Sequence, residues 1–436
     1  MNHDDVSAMP SVCDMHPADL ADRVERLPLD AAREVLKPLP AAEGAPILAE
    51  LEIAKAAAIL EGFQRVQTAA WLRMLSPHIV ADLVFALPAA RRKEVLGDLP
   101  PDQAAEVTAL LRYDPDSAGG IMDNRFIAVQ PDLSIEECLA RLRARPDHRT
   151  QDVLYLYVTE TDGRLAGVVS LRELVFAQAN RRLHEIMNRD VRYLRASDDQ
   201  EEIARQIQHY HFLALPVVDE KERIVGVVRL RDAIRVAENE ATEDMQLMVG
   251  LSGEEHIWTP WRHAVAKRLP WLGVNLVTAL GGAVVVSLFE ATILRWTAVV
   301  AFLPLICAVA GNAGNQALTV VIRSFALGDF EPGDAARALR KELLIGAGNG
   351  VVLALAIGLI AFAWKGSVLL GAVAGTAMWL NQILGAVAGV AVPIGLRSCK
   401  VDPALASSIL VTALTDTMGF LIFLGLAALI LGLVVF

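Results

Sequence analysis

Asp416 lies inside a long apolar run of the chain, with Thr412, Thr415 and Thr417 beside it. A carboxylate at the middle of a membrane-spanning helix costs roughly 2.5–3.5 kcal/mol on insertion scales, so it must face a wet cavity or a partner. No Lys, Arg or His lies in the middle of any apolar segment to pair with it, and His263 is the last histidine. These residue types point to cation binding rather than to a structural salt bridge. A second polar group interrupts another apolar run: Gly311-Asn312-Ala313-Gly314-Asn315-Gln316. Gly311 and Asn315 are four apart and share a helix face. Glycine narrows the side-chain wall and can open backbone carbonyls, while the amides supply neutral oxygen. Such a set suits a hydrated hard cation. One Asp per chain cannot make a ring, so a homodimer with two Asp416 carboxylates facing one axis is the economical arrangement.

The elements that must position these groups follow from hydropathy. Five segments are long and apolar enough to span a bilayer, which takes about 20 residues: Pro270–Phe289, Thr297–Ile322, Leu343–Trp364, Val368–Leu396 and Pro403–Phe436. The last would be about 51 Å as a straight helix, so it must tilt, kink or protrude. One set of span ends carries Arg262, Lys267, Arg268, Arg323, Arg337, Arg340, Lys341, Arg397 and Lys400; the other carries only Arg295 and Lys365. This asymmetry places the N-terminus in the cytoplasm and the C-terminus outside. The pairs Gly346/Gly350, Gly371/Gly375 and Gly385/Gly389 let spans approach closely.

Charge divides the 436 residues sharply. Residues 269–436 carry 8 Lys+Arg and 7 Asp+Glu, leaving 32 and 44 for residues 1–268. An acidic first half excludes nucleic acid as its partner, because phosphate contact needs a basic excess. It leaves cations, and lipid around the spans. Cys13, Cys138, Cys307 and Cys399 are scattered, so neither a disulfide framework nor a zinc site is expected. The N-terminus has no apolar stretch of signal-peptide type, which fits a cytoplasmic start in the plasma (inner) membrane.

Residues 14–112 form a helical pattern punctuated by Leu27-Pro28, Leu39-Pro40, Leu87-Pro88 and Leu99-Pro100, each unit a short amphipathic helix stopped by proline. From about residue 126 the pattern changes to strand, turn, strand and helix, and it does so twice. The strands are Val153–Val158 with Leu165–Ser170, then Leu213–Val218 with Ile224–Val228.

Asp152, Tyr157-Val158 and the run Gly163–Glu173, with their counterparts Leu215–Asp219 and Gly226–Asp232, resemble a tandem pair of CBS domains, which commonly sense adenine nucleotides or ions. Tyr113–Met122 precedes the pair and Glu240–Met245 follows it. With Pro304, Gly311–Gln316 and Leu414–Phe420, the whole order resembles the MgtE family of magnesium transporters across nearly all of the chain. The implied fold is multidomain: an all-α helical N-terminal solenoid (14–122), an α/β tandem CBS pair (123–237), a connecting plug helix (238–268) and a five-helix transmembrane pore domain (269–436).

The resemblance implies a homodimeric Mg2+-selective channel, closed when cytosolic Mg2+ binds the N and CBS domains and pins the plug helix against the pore. The pore carboxylate falls on Asp416. Gly311, Gly314 and Asn315 take the second-span pore positions, and Asn312 and Thr412 join them as pore-lining residues. The regulatory acids fall on Asp232, Glu240, Glu243, Asp244 and Asp402. Arg235 stands where the family commonly has another acid, and Arg231 precedes Asp232; arginine repels Mg2+. The Ser/Thr of the CBS nucleotide motif is kept as Ser170 but replaced by Arg229, which leaves Glu173 and Asp232 as ribose acceptors for a nucleotide such as ATP.

Two alternatives stand beside this reading. A carrier for Co2+ or another divalent ion is disfavoured because, Met418 apart, no Met, Cys or His ligand lies beside Asp416 in the sequence. A membrane-embedded aspartyl hydrolase lacks a second acid or base in a different environment, which acid–base chemistry needs. No GxxxxGK[ST] motif is present, so ATP-driven pumping is not supported.

Overall fold

Leu-Pro pairs set the rhythm of the first hundred residues, though not in the way the sequence suggests. The computed structural model describes residues 15–144, 154–253, 255, 259 and 261–431. Eight short helices come first: α1 (Pro17–Glu25), α2 (Leu29–Leu36), α3 (Ala41–Glu50), α4 (Ile53–Glu61), α5 (Arg65–Leu72), α6 (Pro77–Ala86), α7 (Ala89–Asp98) and α8 (Pro101–Leu110). Pro28, Pro40, Pro88 and Pro100 occupy the N-cap positions of α2, α3, α7 and α8. The prolines therefore start the next helix rather than end the last one. A helix start has no intrahelical partner for that N–H, so proline loses nothing there. Alternate helices stack, α1 on α3, α3 on α5, α4 on α6 and α6 on α8.

The CBS region follows as α9 (Ala118–Ile121), β1 (Ala128–Val129), α10 (Ile135–Arg143), β2 (Tyr155–Thr159), β3 (Leu165–Ser170), α11 (Leu171–Phe176) and α12 (Leu183–Ile186). It continues as β4 (Leu194–Arg195), α13 (Gln200–Tyr210), β5 (Ala214–Val218), β6 (Ile224–Arg229) and α14 (Leu230–Met248). Each repeat is a three-stranded sheet in which the first pair is parallel and the second antiparallel. The registers repeat as well: Tyr155 faces Ser170 as Ala214 faces Arg229, and each sheet bulges at the end of its middle strand. Asp152 and Val153, which the sequence places at the first strand, lie outside the described residues. Apolar side chains of the N-terminal helices and of the second repeat share one core, with Leu36, Leu60, Trp71 and Leu83 in the same cluster as Leu194, Ile203, Leu215 and Val228. The first repeat has its own core around Leu156, Val158 and Val169.

The chain divides into two compact units, one ending at Ala237 and one from Glu238 to Phe436. The second contains α15 (Trp261–Leu288), α16 (Glu290–Arg295), a 3-10 segment (Thr297–Phe302), α17 (Leu303–Ala326), α18 (Ala335–Lys365), α19 (Val368–Ser398) and α20 (Ser407–Leu426), which ends in a π-helical turn (Ala427–Leu431). Among the described residues, five helices are long and apolar enough to cross a membrane.

The fifth span is shorter at its start than the sequence suggests. Asp402 accepts a bond from the backbone N–H of Ala404 (2.8 Å), and Ala406 has φ 51°, so Asp402–Ala406 turns before α20 begins. Residues 432–436 lie outside the described part. The glycine pairs act where the helices touch: a Cβ on Gly371 would lie 2.6 Å from the Gly358 carbonyl oxygen of α18, and Gly385 and Gly389 press on the backbone of α17 at Ala310 and Gly314.

Candidate ion pathway and sensor acids

α17 and α20 run past each other in an antiparallel register that fixes the polar groups. Cys307 Sγ donates to the Asp416 carbonyl (3.9 Å). A Cβ on Gly311 would lie 3.5 Å from Thr415 Oγ1, and one on Gly314 would strike Val411. Ser408 Oγ donates to Asn315 Oδ1 (2.9 Å). Thus 307, 311, 314 and 315 of one helix match 416, 415, 411 and 408 of the other. Gly311 and Gly314 are buried in this seam, where their lack of a side chain lets the helices close.

Ser408, Thr412 and Asp416 are four apart and line one stripe of α20. The Asp416 side chain is partly exposed and makes no ion pair among the described residues. Thr415, which the sequence places beside it, is fully buried; its hydroxyl donates back to the carbonyls of Val411 and Thr412, both at 3.0 Å. Asn315 and Asp416 are not neighbours. Asn315 sits at the Ser408 level, and eight residues of helix separate Ser408 from Asp416, about 12 Å along the axis. Asn312 and Gln316 are exposed on α17, one step round from the glycine seam.

Asn381 and Gln382 escape the sequence reading. Both are buried in α19, and Asn381 is 0% exposed with neither amide atom hydrogen-bonded. The Asn381 amide faces Gly419, where a Cβ would lie 3.3 Å from Nδ2 and 2.9 Å from Cys307 Sγ. The signal was available: two adjacent amides in the middle of an apolar span.

The acids expected to be regulatory divide between the two units. Asp232 is 4% exposed, 3.6 Å from Arg231 Nε. Glu240, Glu243 and Asp244 follow on the second half of α14, and Asp402 lies in the turn before α20. Among the described residues no three His, Cys, Asp or Glu side chains gather closely enough to hold a metal ion. The end of α14 is fastened to the start of α20: Ala406 N–H donates to the Leu247 carbonyl (2.8 Å), and Leu247 and Met248 pack with Leu318, Ile322, Ala404 and Val411. Asp244 is one turn before Leu247.

The nucleotide positions are occupied by local structure. Glu173 forms a capping box with Ser170, its carboxylate accepting the Ser170 N–H (2.9 Å) and hydroxyl (2.8 Å). Arg229 turns to Asp123, Nη2 to Oδ2 at 2.9 Å. The cleft between repeats, lined by Arg125, Phe126, Tyr155, Tyr157, Ala214 and Arg229, leaves about 30 Å3, room for one water. These residues do not fit an adenine nucleotide as arranged.

Comparison with known proteins gives the same order of parts. A family profile described as MgtE, a divalent cation transporter, matches residues 303–426. The MgtE intracellular N domain matches 15–116, and CBS domains match 118–180 and 183–239. The chain is 36% identical over 435 residues to the magnesium transporter MgtE of Thermus thermophilus, covering 96% of this chain and 94% of that one. It is 29% identical over 414 residues to the magnesium transporter MgtE of Bacillus subtilis, covering 95% and 92%. Among solved structures it is similar to the cytosolic domain of the Mg2+ channel MgtE in complex with ATP, with 38% identity and a TM-score of 0.49 over 52% of this chain and 92% of that one. The 36% identity to the Thermus thermophilus transporter, running over 96% of this chain, places it in the MgtE family of magnesium transporters.

Proposed function

We propose that the chain is a Mg2+-selective channel that carries Mg2+ into the cytoplasm down its electrochemical gradient as a homodimer, gated by cytosolic Mg2+. The Asp416 carboxylate carries this reading: unpaired among the described residues, partly exposed, at the end of a stripe of hydroxyls on a membrane helix. Mg2+ loses water reluctantly, so a conducting path holds it largely hydrated. Asp416 attracts the divalent ion by charge, and Asn315, Ser408 and Thr412 offer neutral oxygens to its water shell at a second level. An inside-negative potential contributes about 2.3 kcal/mol per charge per 100 mV, doubled for a divalent ion.

Gating follows from the tether between α14 and α20. Glu240, Glu243, Asp244 and Asp402 repel one another or bind Mg2+, and the Leu247–Ala406 bond conveys the position of α14 to the first turn of the pore helix. A ligand shifts a gate only by binding one state better than the other, and relief of acid repulsion in the closed state supplies that difference. The test is ion flux through purified protein in liposomes. Mg2+ uptake that exceeds Na+ uptake, and that millimolar Mg2+ on the cytosolic face suppresses, supports the reading. Replacing Glu243 and Asp244 by Ala should leave the channel open at that Mg2+ level. No flux, or flux blind to cytosolic Mg2+ in the parent, removes the channel or the gate respectively. Uptake of Co2+ in preference to Mg2+ makes the chain a carrier of a different ion.

A further inference from the structure

A second concentration of charge lies where α6 meets the CBS pair. Asp123 is 0% exposed and His78, on α6, is 2% exposed, with Nδ1 3.6 Å from Asp123 Oδ1. Arg125 donates its backbone N–H to the same oxygen (2.9 Å), holds its Nε 3.4 Å away, and reaches across to the hydroxyl of Ser76, the N-cap of α6. Arg229, at the end of β6, closes on the other oxygen of Asp123 at 2.9 Å. One turn along, Arg235 of α14 stands 3.9 Å from Asp82 of α6, and the buried Asp232 has Arg231 beside it. Asp123 is also fixed by backbone, exchanging N–H to carbonyl bonds of 2.9 Å with Val227 in β6.

Gathered carboxylates at a seam need compensating charge, because leaving one buried without a partner costs several kcal/mol. A divalent cation is one way to supply it. Here Asp82, Asp123 and Asp232 meet four guanidinium groups, those of Arg125, Arg229, Arg231 and Arg235. Oδ1 of Asp123 accepts from Arg125, and Oδ2 lies within ion-pair distance of Arg229 without forming a hydrogen bond. A Mg2+ ion approaching Asp123 would meet Arg125 and Arg229, and its octahedral shell would have to displace guanidinium groups that cannot deprotonate. The same seam is sealed by the apolar core that the N-terminal helices share with the second repeat.

We propose that the helical N-terminal layer of this chain is clamped to the second CBS repeat by the chain's own arginines, so that it stays docked whether or not Mg2+ is present. The clamp rests on the gating reading above only in its consequence: Mg2+ sensitivity then belongs to the acids of the second half of α14 and to Asp402. Arg235 is the removable part, since it is the one cation reaching Asp82 from α14 at a partly exposed position.

The test is hydrogen–deuterium exchange on the full-length protein in lipid nanodiscs, in EDTA and in millimolar Mg2+, following peptides that cover 77–86 and 224–235. In the parent, protection of both should be the same in the two conditions. In Arg235→Asp, which exchanges the internal cation for an acid, exchange in EDTA should rise about tenfold and Mg2+ should restore protection. In Arg235→Gln, which removes the cation without adding a ligand, exchange should rise in both conditions alike. A parent seam that opens when Mg2+ is removed overturns the clamp, as does an Arg235→Asp seam indifferent to Mg2+. Exchange is read without any flux measurement, so failure of the channel reading leaves this result standing, and the reverse.

Discussion

Replacing Asp416 by Asn keeps the size of the side chain and removes its charge, and the structure sets the scale of the loss. The carboxylate is partly exposed on α20 and has no internal cation among the described residues to share its field. A hydrated Mg2+ sits about 5 Å from a carboxylate across one water. With an effective dielectric near 40 for a wet cavity, the interaction of one negative charge with a divalent ion is about 3 kcal/mol. Asp416→Asn should therefore lower Mg2+ flux at limiting concentration by on the order of a hundredfold. Asn315→Ala, which loses only a neutral oxygen and its 2.9 Å bond from Ser408, should lower it about tenfold or less, in line with a net hydrogen bond of about 1 kcal/mol. The assay is uptake into liposomes read by an internal Mg2+-sensitive dye, with size-exclusion chromatography to show intact assembly. Asp416→Asn protein that keeps half the parent flux would refute the electrostatic reasoning. So would a loss at Asn315 as large as that at Asp416.

Asn381→Leu should raise the thermal midpoint, because a buried unpaired amide is exchanged for an apolar side chain of similar volume. It should also lower flux, because Cys307 and Gly419 beside it belong to the α17–α20 seam at the level of Asp416; a more stable variant with parent flux would make Asn381 a packing residue only. The cytosolic unit should be most stable toward urea between about pH 4 and 6. Burial acts on Asp123, but the neighbouring His78 and the charge and N–H of Arg125 hold its carboxyl well below the usual range. Its stabilisation is complete above the ordinary carboxylate value, about 3.9, and is lost as pH falls below that toward the group's lowered value. Burial pushes Asp82 up to about 6 even with Arg235 beside it. That group costs stability above pH 6, and the cost is relieved as pH falls toward 4. Asp123→Asn should flatten the acid side of the profile; an unchanged acid limb would show that Asp123 does not carry it. A reporter fused after Phe436 should read as extracytoplasmic, since five spans follow a cytoplasmic start; a cytoplasmic reading would reverse the orientation.

Periodicity and hydropathy carried much of this protein, because they are local properties that each segment expresses on its own. Runs of about 20 apolar residues can satisfy their backbone in lipid only as helices, so the five spans were legible, as were the duplicated strand–turn–strand patterns. Asp416 was legible because a carboxylate stands out against its immediate neighbours. What the sequence left undecided depends on which distant segment comes alongside. Only the register of α17 on α20 assigns Gly311 and Gly314 to close packing, sets Asn315 about 12 Å from Asp416, and turns the Thr415 hydroxyl back onto its own helix. Asn381 takes its setting from the packing of α19, which buries it against Gly419. Arg229 and Arg235 read in sequence as losses from known motifs. In the folded chain Asp123 and Asp82, more than a hundred residues earlier, stand beside them, and the same two arginines become partners of these carboxylates. A side chain's type fixes what it can bond, and tertiary contact alone fixes what it meets.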